Sequence, residues 1–213
     1  MGHHIAGRVV VTVVATAAAV TTVIPAAAAA TVEGSRTTTA VPPGASITLT
    51  HFGREGCNKD NTNVNVTEDG TRIVAQFRGL RVRNGTSPRE YRSTCAIRAN
   101  FAVPAGWRFA PRTARVAGAS SVVGAGRVKA ETAFYSPRVK MSIGQSYLTA
   151  DDSGAIWTRQ HQLGDRVFTE CGVPIHYLMM VSAEAKQNDP AAPAWLDISR
   201  WDVSLSDLEW REC

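Results

Sequence analysis

The chain has 213 residues, 44% of them hydrophobic, with 23 lysines and arginines against 18 aspartates and glutamates, a formal net charge of +5. A chain of that length and apolar content can bury a real core. Beyond residue 30 no apolar run is long enough to cross a bilayer as a helix. The positive balance bears on association with anionic partners and says nothing about fold.

Met1 to Arg8 is a short head with one arginine, Val9 to Ile24 is apolar with a few threonines, and Pro25 and a run of alanines follow. That is the layout of a secretory signal peptide over residues 1–30, with cleavage after Ala28 or Ala30. The competing reading is an uncleaved anchor, because Val9 to Ala30 is almost long enough to span. Alanine and threonine are weak membrane formers, which favours the signal peptide. No cysteine sits at the cleavage zone, so the pattern of a lipid-modified lipoprotein is missing. Residues 31–45 lack periodicity and are rich in Thr, Gly and Pro, the composition of a flexible N-terminal tail. Residues 46–213 are then expected to form a single β-sandwich domain, secreted to the extracellular side, with no stable membrane anchor after cleavage.

Strands follow at short intervals. Ser46 to Thr50 is extended. Asn63 to Glu68 alternates, with Val64 and Val66 inward. Glu68-Asp69-Gly70-Thr71 reads as a tight hairpin, since Asp-Gly suits left-handed turn positions. Thr71 to Phe77 returns with Ile73, Ala75 and Phe77 inward, and Leu80 to Arg83 alternates again. From Cys95 the period of two is cleanest: Cys95, Ile97, Ala99, Phe101 and Val103 share one side, the mark of a half-buried strand. Pro104-Ala105-Gly106 breaks the ladder, and Trp107-Arg108-Phe109 resumes it. After the small-residue run Gly118 to Gly126, the next strand turns Val128, Ala130, Thr132 and Phe134 inward. Val139 to Ile143, Arg166 to Cys171, His176 to Val181 and Trp195 to Leu205 also read as extended. In the last, Ser199, Trp201, Val203 and Leu205 share a face, and a β-bulge near Ser206-Asp207 is expected where the phase shifts to Leu208 and Trp210. Ser182 to Gln187 could supply a turn or two of helix. Many short strands with turns between them predict an all-β, antiparallel β-sandwich, jelly-roll or immunoglobulin-like, with little or no helix.

Cys57, Cys95, Cys171 and Cys213 lie in this domain. An even count in an exported chain predicts two disulfides, and no pair has the Cys-x-x-Cys spacing of zinc ribbons or redox motifs. Four cysteines allow three connectivities. Cys57–Cys95 with Cys171–Cys213 is favoured, each loop contributing about 4 kcal/mol in the chain-entropy picture. The nested pairing Cys57–Cys213 with Cys95–Cys171 stays open.

With the cysteines placed, an ordered set of short motifs appears. Gly56-Cys57 is followed by the Thr67-Glu68-Asp69-Gly70-Thr71 hairpin and by Arg92-Ser93-Thr94-Cys95. Then come Pro104-Ala105-Gly106-Trp107, the pair Phe134-Tyr135, Cys171-Gly172 and a terminal Trp210-Arg211-Glu212-Cys213. In order and spacing the chain resembles the secreted family known as domain of unknown function 4360, over nearly the whole mature length. It departs at Asn58, where the family usually has proline, and at Thr94, where it often has asparagine; Ser142 to Gln162 has no clear counterpart. The resemblance implies export and a disulfide-held β domain, and it implies no activity.

No candidate catalytic or metal constellation stands out. His51, His161 and His176 survive signal removal, yet no Gly-x-Ser-x-Gly elbow places a nucleophile beside any of them. A metal site from His161 and His176 would want Cys171, which is better used in a disulfide. Asp151-Asp152 and Asn61/Asn63/Asn65 lack the calcium-loop pattern. No cofactor is expected. Asn65-Val66-Thr67 and Asn84-Gly85-Thr86 are glycosylation sequons in a host that modifies asparagine. Trp157, Trp195, Trp201 and Trp210 could stack on sugars but are typical of sandwich cores. The remaining signal is arginine: Arg72, Arg78, Arg81, Arg83, Arg89, Arg92 and Arg98, opposed by Glu90 alone. Guanidinium forks suit oxyanions, and alternation puts Arg72, Arg81, Arg83 and Arg98 on wet sides. They are the candidate polyanion-binding residues, on one face if their strands are neighbours. The expected role is therefore a non-catalytic extracellular or cell-envelope binding or structural module. Its partners would be anionic extracellular polymers or cell-wall glycans rather than a specific nucleic acid. The competing classes are a secreted hydrolase with a loop-built site and an inhibitor of extracellular enzymes.

Overall fold

The computed structural model describes residues 40–84, 91–124, 126–185 and 193–213, together with the backbone of Thr37–Thr38. The expected signal peptide, most of the expected N-terminal tail, Gly85-Thr86 of the second sequon, Arg89, Glu90 and Gln187 lie outside the described residues.

Among the described residues thirteen strands form: β1 (Thr37–Thr38), β2 (Ser46–Gly53), β3 (Thr62–Val66), β4 (Arg72–Arg83), β5 (Arg92–Ala102), β6 (Trp107–Pro111), β7 (Thr113–Val122), β8 (Val128–Ser136), β9 (Val139–Leu148), β10 (Ile156–Gln162), β11 (Ile175–Ala185), β12 (Ala194–Ser204) and β13 (Leu208–Glu212). Among the described residues the helical segments are two 3₁₀ turns, at Ala150–Asp152 and Leu205–Asp207, and no helix is long and apolar enough to cross a membrane.

Two five-stranded antiparallel sheets, ordered β10-β7-β12-β4-β3 and β2-β5-β11-β8-β9, pack face to face. Four antiparallel pairs are nested in the chain: β4 with β12, β5 with β11, β7 with β10 and β8 with β9. Nested pairing of this kind is the double Greek key of a jelly roll, so of the two expected sandwich types this one forms. A third sheet, β1-β13-β6, packs Phe109 and Trp210 onto the same core, where Phe109 lies 5.0 Å from Trp210 and 6.0 Å from Tyr177 between ring centroids.

The alternation read from sequence accounts for this core. Cys95, Ile97, Ala99 and Phe101 on β5, and Val128, Ala130, Thr132 and Phe134 on β8, are buried. The β3–β4 hairpin turns where expected. Gly70 has φ 67, and the Asp69 carboxylate accepts from Thr67 Oγ1 at 2.6 Å and from the Thr71 amide at 3.1 Å, which lowers its pKa. Both disulfides form in sequential pairs, Cys57–Cys95 and Cys171–Cys213.

Four expectations are corrected. Arg166 to Cys171 is no strand; the segment lies across β6, with the Thr169 amide on Phe109 O at 2.8 Å and Thr169 Oγ1 accepting from the Phe109 amide at 3.1 Å. Ser182 to Ala185 is not helical but completes β11, laddered to β5 on one side and β8 on the other. Strands β7 and β10 form where none was expected. The inward set of β7 is small because β12 and β10 lie close: a Cβ on Gly118 would run into Asp197 O and the Trp157 ring. Finally, the phase shift of the last long strand falls at Ser199, where both ladders of β12 jump between Ile198 and Arg200. Ser199 is therefore exposed while Trp201, Val203 and Leu205 are buried. At Ser206-Asp207 the chain makes a 3₁₀ turn instead of a bulge, held by the Ser204 amide on Asp207 Oδ2 at 2.9 Å.

Candidate binding faces

Strand alternation puts Arg72, Arg81 and Arg83 on the outer side of β4, as expected. Arg98 points outward from β5, which belongs to the opposite sheet. The chain crosses from one layer to the other between β4 and β5, so the four arginines face two opposite sides of the sandwich and form no single basic face.

The two sides differ in how their cations are answered. On the β4 side, β12 supplies aspartates across the ladder, Asp197 directly opposite Arg81 and Asp202 diagonal to Arg72. Arg72 Nη2 meets Asp202 Oδ1 at 2.6 Å, and Arg200 meets the other oxygen of that carboxylate at 3.2 Å. Arg81 grips Asp197 Oδ2 through Nε at 3.0 Å and Nη2 at 2.5 Å, and its guanidinium sits 5.9 Å from the Trp195 ring centroid. Trp195 in turn lies opposite Arg83 in register.

The outer side of β2-β5-β11-β8-β9 is different. Its cross-strand rows run Tyr147–Lys129–Glu184–Arg92, then Gln145–Glu131–Ser182–Thr94, then Ile143–Ala133–Met180–Ala96. Farther along come Tyr135, Leu178, Arg98 and His51. Most of the large apolar side chains that the described surface exposes fall here: Tyr135, Met141, Ile143 and Tyr147. Tyr147 and Tyr135 stand about 20 Å apart, because Tyr135 lies six residue steps along β8 from Lys129, the partner of Tyr147. Among the described residues, Arg54, Arg92, Arg98 and Arg127 hold no carboxylate. Arg127 lies 5.0 Å from the Tyr147 ring centroid.

A cavity of about 350 Å³ opens on this side. Its floor is Thr94 on β5, Ser182 on β11 and Glu131 on β8, with Thr94 Oγ1 and Ser182 Oγ 3.0 Å apart. Arg92 forms one rim, and Arg54 and Glu55, from the segment after β2, form the other with Met180. Arg54 has φ 136, a conformation side-chain-bearing residues rarely adopt, and its guanidinium reaches within 3.8 Å of Met180 Sδ. Backbone outliers of this kind cost about 1–3 kcal/mol and concentrate where a side chain must be aimed. Lys129 holds Glu131 at 3.1 Å and Glu184 at 3.0 Å. Burial pulls its ammonium down, but the two carboxylates outweigh that and hold its pKa above the usual lysine value. Beyond this ion-pair cluster a second hollow of about 100 Å³ is lined by Arg127 and Tyr147.

These residues come from four separate segments, so no local motif announces them. The available signal was the outward set of the central strand β11, where Leu178, Met180, Ser182 and Glu184 alternate with the buried Met179, Val181 and Ala183.

The other sequence candidates are accounted for locally. Trp157, Trp201 and Trp210 are buried in the core, and Trp195 alone of the four is exposed. His51 and His176 lie on the outer side of the β5 sheet. His161 is buried between the layers with Nδ1 3.1 Å from Thr132 Oγ1, and desolvation lowers its pKa to about 4. Tyr177, buried among Phe101, Phe109 and Phe134, has its hydroxyl pushed up by desolvation. Neither group lines the cavity. Asp152 closes its own turn and pairs with Arg159 at 2.5 Å.

In comparisons with known proteins, the family described as domain of unknown function (DUF4360) matches residues 43–213. No curated protein matches the sequence. Among solved structures, one described as TmCBM61 in complex with beta-1,4-galactotriose aligns over 76% of this chain and 89% of that one, at 9% identity and a TM-score of 0.31. At that score the likeness carries no argument about what this chain binds.

Proposed function

The chain belongs to the family described as domain of unknown function (DUF4360), and from that footing we propose that it is an exported, non-catalytic module that binds anionic extracellular polymers, wall glycans among them, across the outer side of the β2-β5-β11-β8-β9 sheet. One contrast carries the reading: Arg54, Arg92 and Arg98 on this side have no carboxylate partner among the described residues, whereas on the other Asp197 and Asp202 engage Arg81, Arg72 and Arg200 and leave Arg78 and Arg115 without one. An arginine whose donors are unspent can fork a ligand oxyanion without first breaking an ion pair. Exposed Tyr135 and Tyr147 add flat apolar surface of the kind that sugar rings cover. The head of the chain, with its signal-peptide layout, supports export, and so do two disulfides, which persist in oxidising compartments.

The test is retention on an immobilised anionic polysaccharide over a salt gradient. Wild type should elute late and Arg92→Ser/Arg98→Ser early, with Arg81→Ser/Arg83→Ser close to wild type. The attraction between exposed charges is screened over about 10 Å at 0.1 M ionic strength, so the separation should shrink as salt rises. Equal elution of wild type and the Arg92/Arg98 variant at low salt would overturn the assignment of the face.

A further inference from the structure

Resting on the binding-face reading, we infer that the cavity beneath Arg54 is a subsite for a single ring bearing one carboxylate and neighbouring hydroxyls, a hexuronate residue within a polymer. The argument turns on the cavity's charge inventory. Two cations in its lining, Arg54 and Arg92, stand against two carboxylates, Glu55 and Glu131, and Lys129 behind Glu131 is matched by Glu184. Local charge therefore cancels, and a densely charged sulfate or phosphate ligand meets as much repulsion as attraction. The guanidiniums of Arg54 and Arg92, both exposed, offer donors to one oxyanion. Glu55 and the Lys129-held Glu131 are acceptors only and need hydroxyl donors from the ligand. Thr94 and Ser182 hydroxyls, 3.0 Å apart on the floor, can donate or accept, and Met180 supplies an apolar contact for the C–H side of a ring. A volume of about 350 Å³ sits near the lower end of small-ligand sites. An uncharged sugar leaves the two arginines unanswered, and a polyanion without hydroxyls leaves the carboxylates unanswered. A hexuronate answers both.

The probes are a short 1,4-linked oligoglucuronate, the neutral oligoglucose of the same linkage, and dextran sulfate, titrated calorimetrically at about 0.15 M salt, where the screening length is about 8 Å. Oligoglucuronate should bind, the neutral oligomer on the order of tenfold more weakly, and dextran sulfate more weakly than oligoglucuronate. Arg92→Gln should weaken oligoglucuronate on the order of tenfold, the loss expected for a charge-assisted contact. Glu131→Gln should also weaken it while strengthening dextran sulfate, because it exchanges one of two acceptor oxygens for an NH2 donor and removes a repulsive charge together. Lys129 keeps Glu184, so the fold is not at stake. The subsite is overturned, with the face left standing, if dextran sulfate binds as tightly as oligoglucuronate and Arg98→Ser weakens both as much as Arg92→Gln. Equal binding of the neutral oligomer also overturns it. If no anionic polymer binds at all, the subsite and the face fall together.

Discussion

The most direct physical test of the fold concerns His161. Its imidazole is 1% exposed, with Nδ1 on Thr132 Oγ1 and no partner for Nε2 among the described residues. Charging the ring in that place removes its hydration without return, and its pKa falls from 6.5 to about 4. The folded pKa lies below the unfolded one, so between them the unfolded chain binds more protons. The stabilisation is therefore complete above about pH 6.5 and is lost as pH falls toward 4. At 1.36 kcal/mol per unit, the loss from this one group is about 3 kcal/mol on reaching pH 4. Urea unfolding should be followed at several pH values in that window for wild type and for His161→Asn, whose amide can still meet Thr132. Other histidines and carboxylates titrate in both proteins, so the quantity to read is the difference between the two curves. Wild type should lose about 3 kcal/mol more than the variant between neutral pH and pH 4. Parallel curves would mean that His161 is hydrated in solution and that the contact between β10 and β8 is not as tight as described.

Further outcomes follow from packing and processing. Cys171 and Cys213 are exposed, whereas Cys57 and Cys95 are buried; mild reductant on folded protein should therefore expose Cys171 and Cys213 to alkylation first, read by peptide mass mapping. Equal labelling of all four would contradict the burial of the first bridge. Gly118→Ala should cost about 1–3 kcal/mol through overpacking against β12 and Trp157; an unchanged melting curve would show that β7 can move away. Protein recovered from the medium should begin near Thr31 by N-terminal sequencing, and a chain retaining Val9 would favour an anchor.

How much of this was legible in the sequence depends on side-chain size. Strands β3, β4, β5 and β8 announce themselves because large or branched inward residues alternate with polar outward ones, as Ile97 and Phe101 do against Arg98 and Asn100. Strand β7 hides because its inward set, Ala114, Val116, Gly118, Ser120 and Val122, must be small where neighbouring backbone approaches, and small residues carry little periodic signal. Strand β10 is an edge whose outward positions are Ile156, Thr158 and Gln160, with Ile156 87% exposed, so its hydrophobicity does not sort by side. Arg166 to Cys171 misleads for the opposite reason: Val167, Phe168 and Thr169 have strand chemistry, but they cover β6 and join no ladder. Phase shifts are the third obstacle. Residue 199 is a local insertion in β12, and nothing in Ile198-Ser199-Arg200 marks it apart from the resulting change of face.

The arginine segment shows what alternation cannot supply. A period of two tells which residues point away from the core, but in a two-layer fold there are two such directions. Arg81 and Arg98 are both outward and yet back to back, because the connection between β4 and β5 changes sheets. Which guanidiniums meet a carboxylate is then decided by neighbours from distant sequence: Asp197 and Asp202 on β12 engage Arg81 and Arg72 of β4, while β11 brings Leu178, Met180 and Ser182 beside β5. The first disulfide takes part in the same outcome. Cys57 is joined to Cys95, whose side chain points into the core, and this pins the segment carrying Arg54 and Glu55 along the edge of β5, where Gly56 N meets Thr94 O at 3.0 Å. A bridge that staples the core thereby also fixes the overhang above the cavity. The proposed subsite gains from that coupling, since rim residues on a strand-end segment would otherwise lose entropy on meeting a ligand.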